Sequence, residues 1–253
     1  MSADTLPPGW PEGTARILLR SVDSTNAEAL RLNLAMPTWI VAAEQTGGRG
    51  RRGRPWVSPR GNFYGTLALM PRGPAEAVAL RSFVAALALR EACVSLTMLP
   101  DSFRLKWPND VLLNGGKLAG ILLESSGAAG QVSQLAIGIG VNLIAAPPPE
   151  SVERGALPPV SLLSETGLRA TPEAFLAALA PAFARWEARL VAEGFAPVRA
   201  EWLAHAARLG EPVIARTGTL TREGIFADMD ASGALILATP KGREAIPAAD
   251  IFF

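Results

Sequence analysis

An α+β fold is predicted for this chain: a mixed, mainly antiparallel sheet packed against helices, followed by a small C-terminal β-barrel. Three observations carry the prediction. Asn114-Gly115-Gly116 lies between two apolar, β-like runs, which is a strong hairpin signal and so an antiparallel pair. Two long Ala/Leu-rich stretches, 74–96 and 172–192, read as helices. After Gly210 the chain changes to short β-like runs split by Gly, Asp and Ser.

Taken in order, residues 16–20 are a short apolar run bounded by arginines, a predicted strand. Ser24-Thr25-Asn26 follows and supplies natural N-caps for a helix over 27–34. Residues 39–43 read as a strand that feeds an arginine-rich loop, and 63–70, rich in β-formers, as another strand after Gly61-Asn62. The stretch 74–96 has no internal Pro and is predicted to be one helix. The hairpin joins 111–113 to 117–124, and 134–143 is a further strand with glycines at 138 and 140. Pro147-Pro148-Pro149 marks a loop. Helices over 172–192 and 197–209 each carry Pro near the start, where its missing N–H is not needed. Beyond Gly210 the β-like runs are 213–215, 224–226, 234–237 and Ile246. About 45 residues of short strands suit a small barrel and not a large enzyme domain. The boundary is placed near residue 209, giving domains 1–209 and 210–253.

A chain of 253 residues can bury a substantial core. Apolar residues make up 49% and charged residues 19%, the balance of a globular protein. With 24 Lys and Arg against 23 Asp and Glu the net charge is +1, which argues against the broad basic face of a nucleic-acid-binding module. The single cysteine, Cys93, excludes a disulfide framework and a cysteine zinc site, and fits a reducing cytoplasm. It closes an Ala/Leu-rich run and is expected in the core, not as a nucleophile. The single histidine, His205, rules out a two-histidine metal site within the chain and has no obvious hydrolase partners, so a structural or surface role is expected. The N-terminal residues have no basic region followed by an apolar run, so no signal peptide is expected, and no apolar stretch reaches membrane-spanning length.

Residues 44–56 read Glu-Gln-Thr-Gly-Gly-Arg-Gly-Arg-Arg-Gly-Arg-Pro-Trp. Arg49, Arg51, Arg52 and Arg54 alternate with glycines, and the basic charge of the chain is concentrated here. Glycine lets a backbone turn through positive φ and approach a ligand closely. Arginine brings a permanent charge and a planar fork of donors that fits carboxylate and phosphate. The loop suits closure over a small anion. Its glycines match a dinucleotide-binding spacing, but arginines crowd it, and no Walker motif is present. Three other segments are each ambiguous alone. Ser24-Thr25-Asn26 is a helix cap or a set of ligand contacts. Lys106-Trp107-Pro108-Asn109-Asp110 is a turn with an ion pair or a charged site. Lys117, just past the glycine turn, is a solvated lysine or a phosphate contact.

Together the segments are far more specific. The order Ser-Thr-Asn (24–26), Gly-Arg-Gly-Arg-Arg-Gly-Arg-x-Trp (48–56), Lys-Trp-Pro-Asn-Asp (106–110), Gly-Lys-Leu-Ala-Gly-Ile-Leu-x-Glu (116–124) and Gly-x-Asn (140–142) resembles the biotin protein ligases. The resemblance extends from about residue 16 to the C-terminus, where Gly224 and Gly233-Ala234-Leu235 look like the family's small C-terminal domain. It implies a class II synthetase-like, lipoate ligase-like catalytic fold with an SH3-like barrel. It also implies ATP-dependent biotinylation of one lysine on the biotin carboxyl carrier protein of acetyl-CoA carboxylase. Biotin's carboxylate attacks the α-phosphorus of ATP, giving biotinyl-5′-AMP and pyrophosphate, and the lysine amine then displaces AMP. Two anions meet in the first step, so fixed cations are the direct remedy, and the ionised carboxylate needs no general base.

Residue by residue, the resemblance implies biotin contacts from Ser24, Thr25, Asn26 and Gln45, polar groups suited to a ureido ring. It implies close walls at Gly48 and at the Leu118–Gly120 backbone. Arg49 and Arg51 are expected beside the biotin carboxylate. Arg51, Arg52, Arg54, Trp56, Lys106, Asn109 and Asn142 are expected on the adenylate side, with Trp56 as readily a packing residue. Lys117 should bridge carboxylate and α-phosphate, and Asp110 should orient or deprotonate the acceptor amine. Mg²⁺ is expected on the triphosphate, held mainly by phosphate oxygens, with no metal ligands in the protein. Nucleic acid and membrane are not expected as partners, while a homodimer through the sheet is compatible with the resemblance. Some 20 residues ahead of Ser24 are too few for a helix-turn-helix, so a ligase-only member is expected. The nearest rival is a lipoate or octanoate ligase or transferase of the same fold, which would leave the ureido contacts without purpose. Some members stack a tryptophan on adenine after the Gly-x-Asn strand. Residues 143–170 hold no Trp, and Val160 or Leu162 is the expected substitute.

Overall fold

The computed structural model describes residues 6–153, 155–217 and 220–253. The first part of the chain forms β1 (Ala15–Leu19), α1 (Thr25–Leu32), β2 (Thr38–Ala42), β3 (Phe63–Leu69) and β4 (Gly73–Pro74), then α2 (Ala75–Ala79) and α3 (Arg81–Thr97). Strands β5 (Phe103–Lys106), β6 (Asp110–Leu113), β7 (Gly116–Ala128) and β8 (Gln131–Val141) follow, then α4 (Leu162–Thr166), α5 (Pro172–Glu193) and α6 (Phe195–Ala204). The main sheet has the order β1-β2-β3-β8-β7-β6-β5, with β4 beside β8. Strands β1 and β2 are parallel, and the neighbouring pairs that follow are antiparallel. This is the mixed, mainly antiparallel sheet expected.

The predicted hairpin is present. Leu113 pairs with Gly116, leaving Asn114 and Gly115 as a two-residue turn with φ of 49° and 85°. Positive φ at both turn residues suits the right-handed twist of the flanking strands, which is why Asn-Gly serves here. Helix α1 begins where Ser24 accepts from the Ala27 N–H at 3.4 Å, an N-cap worth about 1 kcal/mol.

Two expectations need correction. The single helix over 74–96 is two, interrupted at Leu80. Its first piece packs on β4 and β8 and its second on α5, so the chain changes direction to serve two surfaces. The helix expected over 197–209 spans Phe195–Ala204. It ends early because the segment after it pairs with β5: the Leu105 N–H donates to the His205 carbonyl at 2.9 Å and the Ala207 N–H donates to the Leu105 carbonyl at 2.7 Å, which draws the chain into an extended path. Strand β5 and helix α4 were not foreseen.

Alternation along the strands gives the sheet two different faces. On β8, Leu135, Ile137, Ile139 and Val141 point into the large core shared with α3 and α5. Helix α3 is packed against both the sheet and α5, which explains a run in which Phe83 to Leu89 are all buried. On the other face α1 covers only a small cluster of Ala29, Ile40, Ala68 and Ala136. Beyond that cluster the face carries Thr66, Leu122 and Glu124 together with Gly120, Gly138 and Gly140.

The last residues form β9 (Pro212–Thr217), β10 (Leu220–Met229), β11 (Leu235–Thr239), β12 (Gly242–Ile246) and β13 (Asp250–Phe252). They make a five-stranded antiparallel sheet, order β12-β11-β10-β9-β13, in keeping with the small barrel expected; β13 was not foreseen. Its core is continuous with the main one. Trp202 meets Phe83 edge-on at 5.6 Å and Phe226 at 6.5 Å, and the Trp107 indole N–H donates to the Gly233 carbonyl at 2.9 Å.

Candidate active site

Glycines on β7 and β8 create the site. A Cβ at Gly138 would lie 2.3 Å from Asn26 Oδ1, and one at Gly140 would lie 2.6 Å from the Trp56 indole. Neither glycine has positive φ, so both are required for space and not for backbone freedom. Gly138 admits Asn26 from α1, and Gly140 admits Trp56 from the end of the arginine loop. With these two side chains seated, the open face of the sheet becomes the floor of a cavity of about 640 Å³ roofed by that loop.

One end of the cavity is polar. Gln45 Oε1 accepts from the Thr25 backbone N–H at 2.9 Å and lies 3.1 Å from the Thr25 hydroxyl. Thr66, fully buried on β3, places its Oγ1 2.8 Å from Thr25 Oγ1 and 2.7 Å from Asn26 Oδ1. The Asn26 amide donates to Glu124 Oε2 at 2.8 Å and to the Leu122 carbonyl at 3.1 Å. Gln45 in turn donates to Ser58 Oγ at 3.2 Å. Fixed amide and hydroxyl groups in this density suit a small ligand that carries both donors and acceptors.

The middle is charged. Five cations line the cavity (Arg49, Arg51, Arg54, Lys106 and Lys117) against three carboxylates (Asp110, Glu153 and Asp250). Lys117 Nζ lies 2.8 Å from Asp110 Oδ1 and sits over the Trp56 ring at 5.7 Å. Arg54 pairs with Asp250 at 2.8 Å and with Glu153 at 2.9 Å. Arg49 approaches Glu124 at 3.6 Å. Arg51 and Lys106 have no carboxylate partner among the described residues: Arg51 makes long hydrogen bonds to Asn109 Oδ1 (3.4 Å) and the Ala249 carbonyl (3.3 Å), and Lys106 lies over the Phe253 ring. Burial pushes the pKa of both below the ordinary values of their types. Two buried cations that feel each other and have Asp110 and Asp250 only at longer range mark a place for an anion.

Most of the residues singled out in the sequence converge on this cavity: Ser24, Thr25, Asn26, Gln45, Arg49, Arg51, Arg54, Trp56, Lys106, Asn109, Asp110, Lys117, Gly120 and Asn142 all line it. Gly48, Arg52 and Leu118 do not. Gly48 gives room to the loop itself, since a Cβ there would meet the Trp56 carbonyl at 2.7 Å. Arg52 turns to Asp250 at 2.7 Å. Leu118 is in the core, and its carbonyl accepts from the Asn142 N–H at 3.0 Å. The two aliphatics expected near the nucleotide are also elsewhere. Leu162 is fully buried, and Val160 packs on Gly116, where a Cβ would lie 2.4 Å from it. Among the residues of the site missed in the sequence are Thr66, Glu153, Asp250 and Phe252.

The pieces match known proteins. Residues 18–142 match the Biotin/lipoate A/B protein ligase family, and residues 209–253 match the Biotin protein ligase C terminal domain. A biotin–[acetyl-CoA-carboxylase] ligase of Paracoccus denitrificans is 60% identical over 239 residues, covering 93% of this chain and 99% of that protein. A bifunctional ligase/repressor of Escherichia coli is 34% identical over 234 residues, covering 90% of this chain and 71% of that protein. Among solved structures, a biotin protein ligase from Aquifex aeolicus in complex with biotin and ATP superposes with a TM-score of 0.81 at 28% identity, covering 94% of this chain and 97% of that one.

Proposed function

The chain belongs to the biotin protein ligase family, and from that membership we infer that it is a biotin–[acetyl-CoA-carboxylase] ligase, joining biotin through biotinyl-5′-AMP to a lysine of the biotin carboxyl carrier. The single observation that carries the reading beyond family likeness is the division of one cavity into a hydroxyl-and-amide end and a cationic middle. A ureido ring presents two N–H donors and a carbonyl, and Ser24, Thr25, Asn26 and Gln45 offer partners for them. The biotin carboxylate and the α-phosphate then meet where Lys117, Arg51 and Lys106 stand.

In the first step a carboxylate oxygen bonds to the α-phosphorus and pyrophosphate leaves. Both reactants are anions, so the barrier falls when fixed cations already face the charge that builds up. Lys117 takes the place between the two reacting groups, held there by Asp110. Arg49 and Arg54 close over the product, with Gly120 and Trp56 beneath it. Asn109 and Asn142 stand on the nucleotide side. In the second step the acceptor amine attacks the acyl carbon and AMP leaves. Asp110 is placed to orient or deprotonate that amine, provided it gives up Lys117.

Magnesium would arrive with the triphosphate. Among the described residues there is no group of three or more His, Cys, Asp or Glu suited to hold it, so phosphate oxygens are the ligands assigned. Residues 210–253 are read as a separate small domain that closes one side of the cavity. No helix of the described residues is long and apolar enough to cross a membrane, and the cytoplasm is the compartment proposed. The net charge of +1 supports a protein partner and not nucleic acid. A homodimer would form by extending the sheet, whose order ends at β1. The test is biotin-dependent ATP–pyrophosphate exchange, followed by transfer of label to a purified carrier domain. A chain that binds no biotin and catalyses no exchange would end this reading.

A further inference from the structure

Three aromatic rings line the cavity, and two of them are already occupied. Trp56 lies against Gly120 and Gly140 with the Lys117 ammonium over it. Trp107 is 2% exposed, with its N–H committed to Gly233. The third is Phe252, the next-to-last residue, whose ring is not packed into the core and meets a single cation among the described residues, Arg216.

Its orientation follows from strand register. Strand β13 pairs with β9 so that Asp250 is opposite Arg216 and Phe252 opposite Ile214. Residues two apart on a strand share a face, so Phe252 points the same way as Asp250, which grips the arginine loop over the cavity. Arg216 stacks on the Phe252 ring with its guanidinium carbon 4.4 Å from the centroid, and is itself pinned to Glu153 at 3.0 Å. The ring is therefore backed by a fixed cation. The cavity lining also includes Pro147, Val152, Ala156, Leu157 and Pro159, and a Cβ on Gly155 would lie 3.9 Å from the Phe252 ring, which sets that segment beside it.

We propose that Phe252 is the wall on which the adenine ring of ATP packs, so that the C-terminal strand confers base recognition on the main domain. This rests on the ligase reading above. Of the parts of the two substrates, the triphosphate and carboxylate belong with the cations and the ureido ring with Thr25 and Gln45. The purine is the remaining flat, weakly polar group, and an aromatic face in an apolar recess is what binds such a ring. The Arg216 cation over one face of Phe252 draws density from the ring, which favours stacking of an electron-rich purine on the other face.

The test is calorimetric titration of the full chain, saturated with biotin, with α,β-methylene-ATP, whose α-phosphorus cannot be cleaved from its β-bridge, and separately with tripolyphosphate. Phe252→Leu, which keeps the bulk and removes the ring, is expected to weaken the nucleotide analogue at least about fivefold. Tripolyphosphate and biotin should bind it as they bind the parent chain, and Phe252→Trp should retain nucleotide affinity. Unchanged analogue affinity in Phe252→Leu would overturn the proposal. So would an equal loss for tripolyphosphate, because the ring would then be supporting the charged loop. Loss of the ligase reading itself has a different signature: the parent chain would show no biotin-dependent exchange.

Discussion

Arg52 Nη1 lies 2.7 Å from Asp250 Oδ2, a contact between residues 198 positions apart. Arg54 reaches the same oxygen at 2.8 Å, and Arg51 donates to the neighbouring Ala249 carbonyl. The tip of the loop is a tight turn, with φ of 57° at Arg52 and 73° at Gly53, and it crowds three guanidinium groups together. Left alone, those groups repel one another. One carboxylate on β13 offsets that repulsion and holds the loop over the cavity, so closure of the site depends on the second sheet.

Asp250→Asn keeps the shape and removes the charge. The pairs it breaks are half exposed at the arginine end, worth roughly 1 kcal/mol together after solvent screening. Trypsin should therefore cleave within residues 49–54 of the variant several-fold faster than in the parent chain, and biotin with ATP should restore protection. Equal digestion of the two unliganded proteins would show that Asp250 does not hold the loop.

The parts of this site that were legible in the sequence are those whose signal is local. The Asn114-Gly115 turn, the Ser24 cap and the arginine–glycine alternation each announce themselves within a few residues. Thr66, Asp250 and Phe252 have no such signal. Thr66 matters because register sets it opposite Gly138, whose missing side chain lets Asn26 reach it. Asp250 and Phe252 matter because the second sheet is docked beside the arginine loop. Val160 and Leu162 were misjudged for a related reason. Their backbone N–H groups bond to the Lys117 and Asn142 carbonyls at 3.0 and 2.8 Å, which turns Val160 onto Gly116 and Leu162 into the core.

Lys117→Ala should slow formation of biotinyl-AMP tenfold or more, a barrier increase of at least ~1.4 kcal/mol. Asp110→Asn should slow the same step by a smaller factor, because the ammonium loses the carboxylate that places it at 2.8 Å. Biotin-dependent ATP–pyrophosphate exchange measures both. If Asp110→Asn leaves exchange untouched and slows only transfer to the carrier, Asp110 acts on the amine and not on Lys117.

Lys106 sets function against stability. Burial pushes its pKa below the ordinary 10.5, so the folded chain holds that proton less tightly than the unfolded chain does. Stability should then rise with pH through the window between the depressed value and 10.5, because the unfolded state binds more protons there. Lys106→Met should raise the melting temperature by about 2 °C or more while weakening the nucleotide analogue. A variant with a lower melting temperature would mean that the charge is better compensated than its surroundings suggest.

Thr66 tests the polar end. Asn26 Oδ1 can only accept, so the Thr66 hydroxyl donates to it at 2.7 Å, and the Thr25 hydroxyl then divides its proton between Thr66 at 2.8 Å and Gln45 at 3.1 Å. Thr66→Val keeps the volume but leaves a buried amide oxygen without its donor, at a cost of about 1–3 kcal/mol in stability. It also frees Thr25 to turn wholly to Gln45, which changes the lone pairs and hydrogens that a ureido ring would meet. Biotin affinity should fall about tenfold, the equivalent of about 1.4 kcal/mol, with nucleotide-analogue affinity unchanged. Thr66→Ser, which restores the hydroxyl, should recover most of the loss. Titration of the three chains with biotin decides it: if the valine variant binds as tightly as the parent, the buried hydroxyl supports the fold alone.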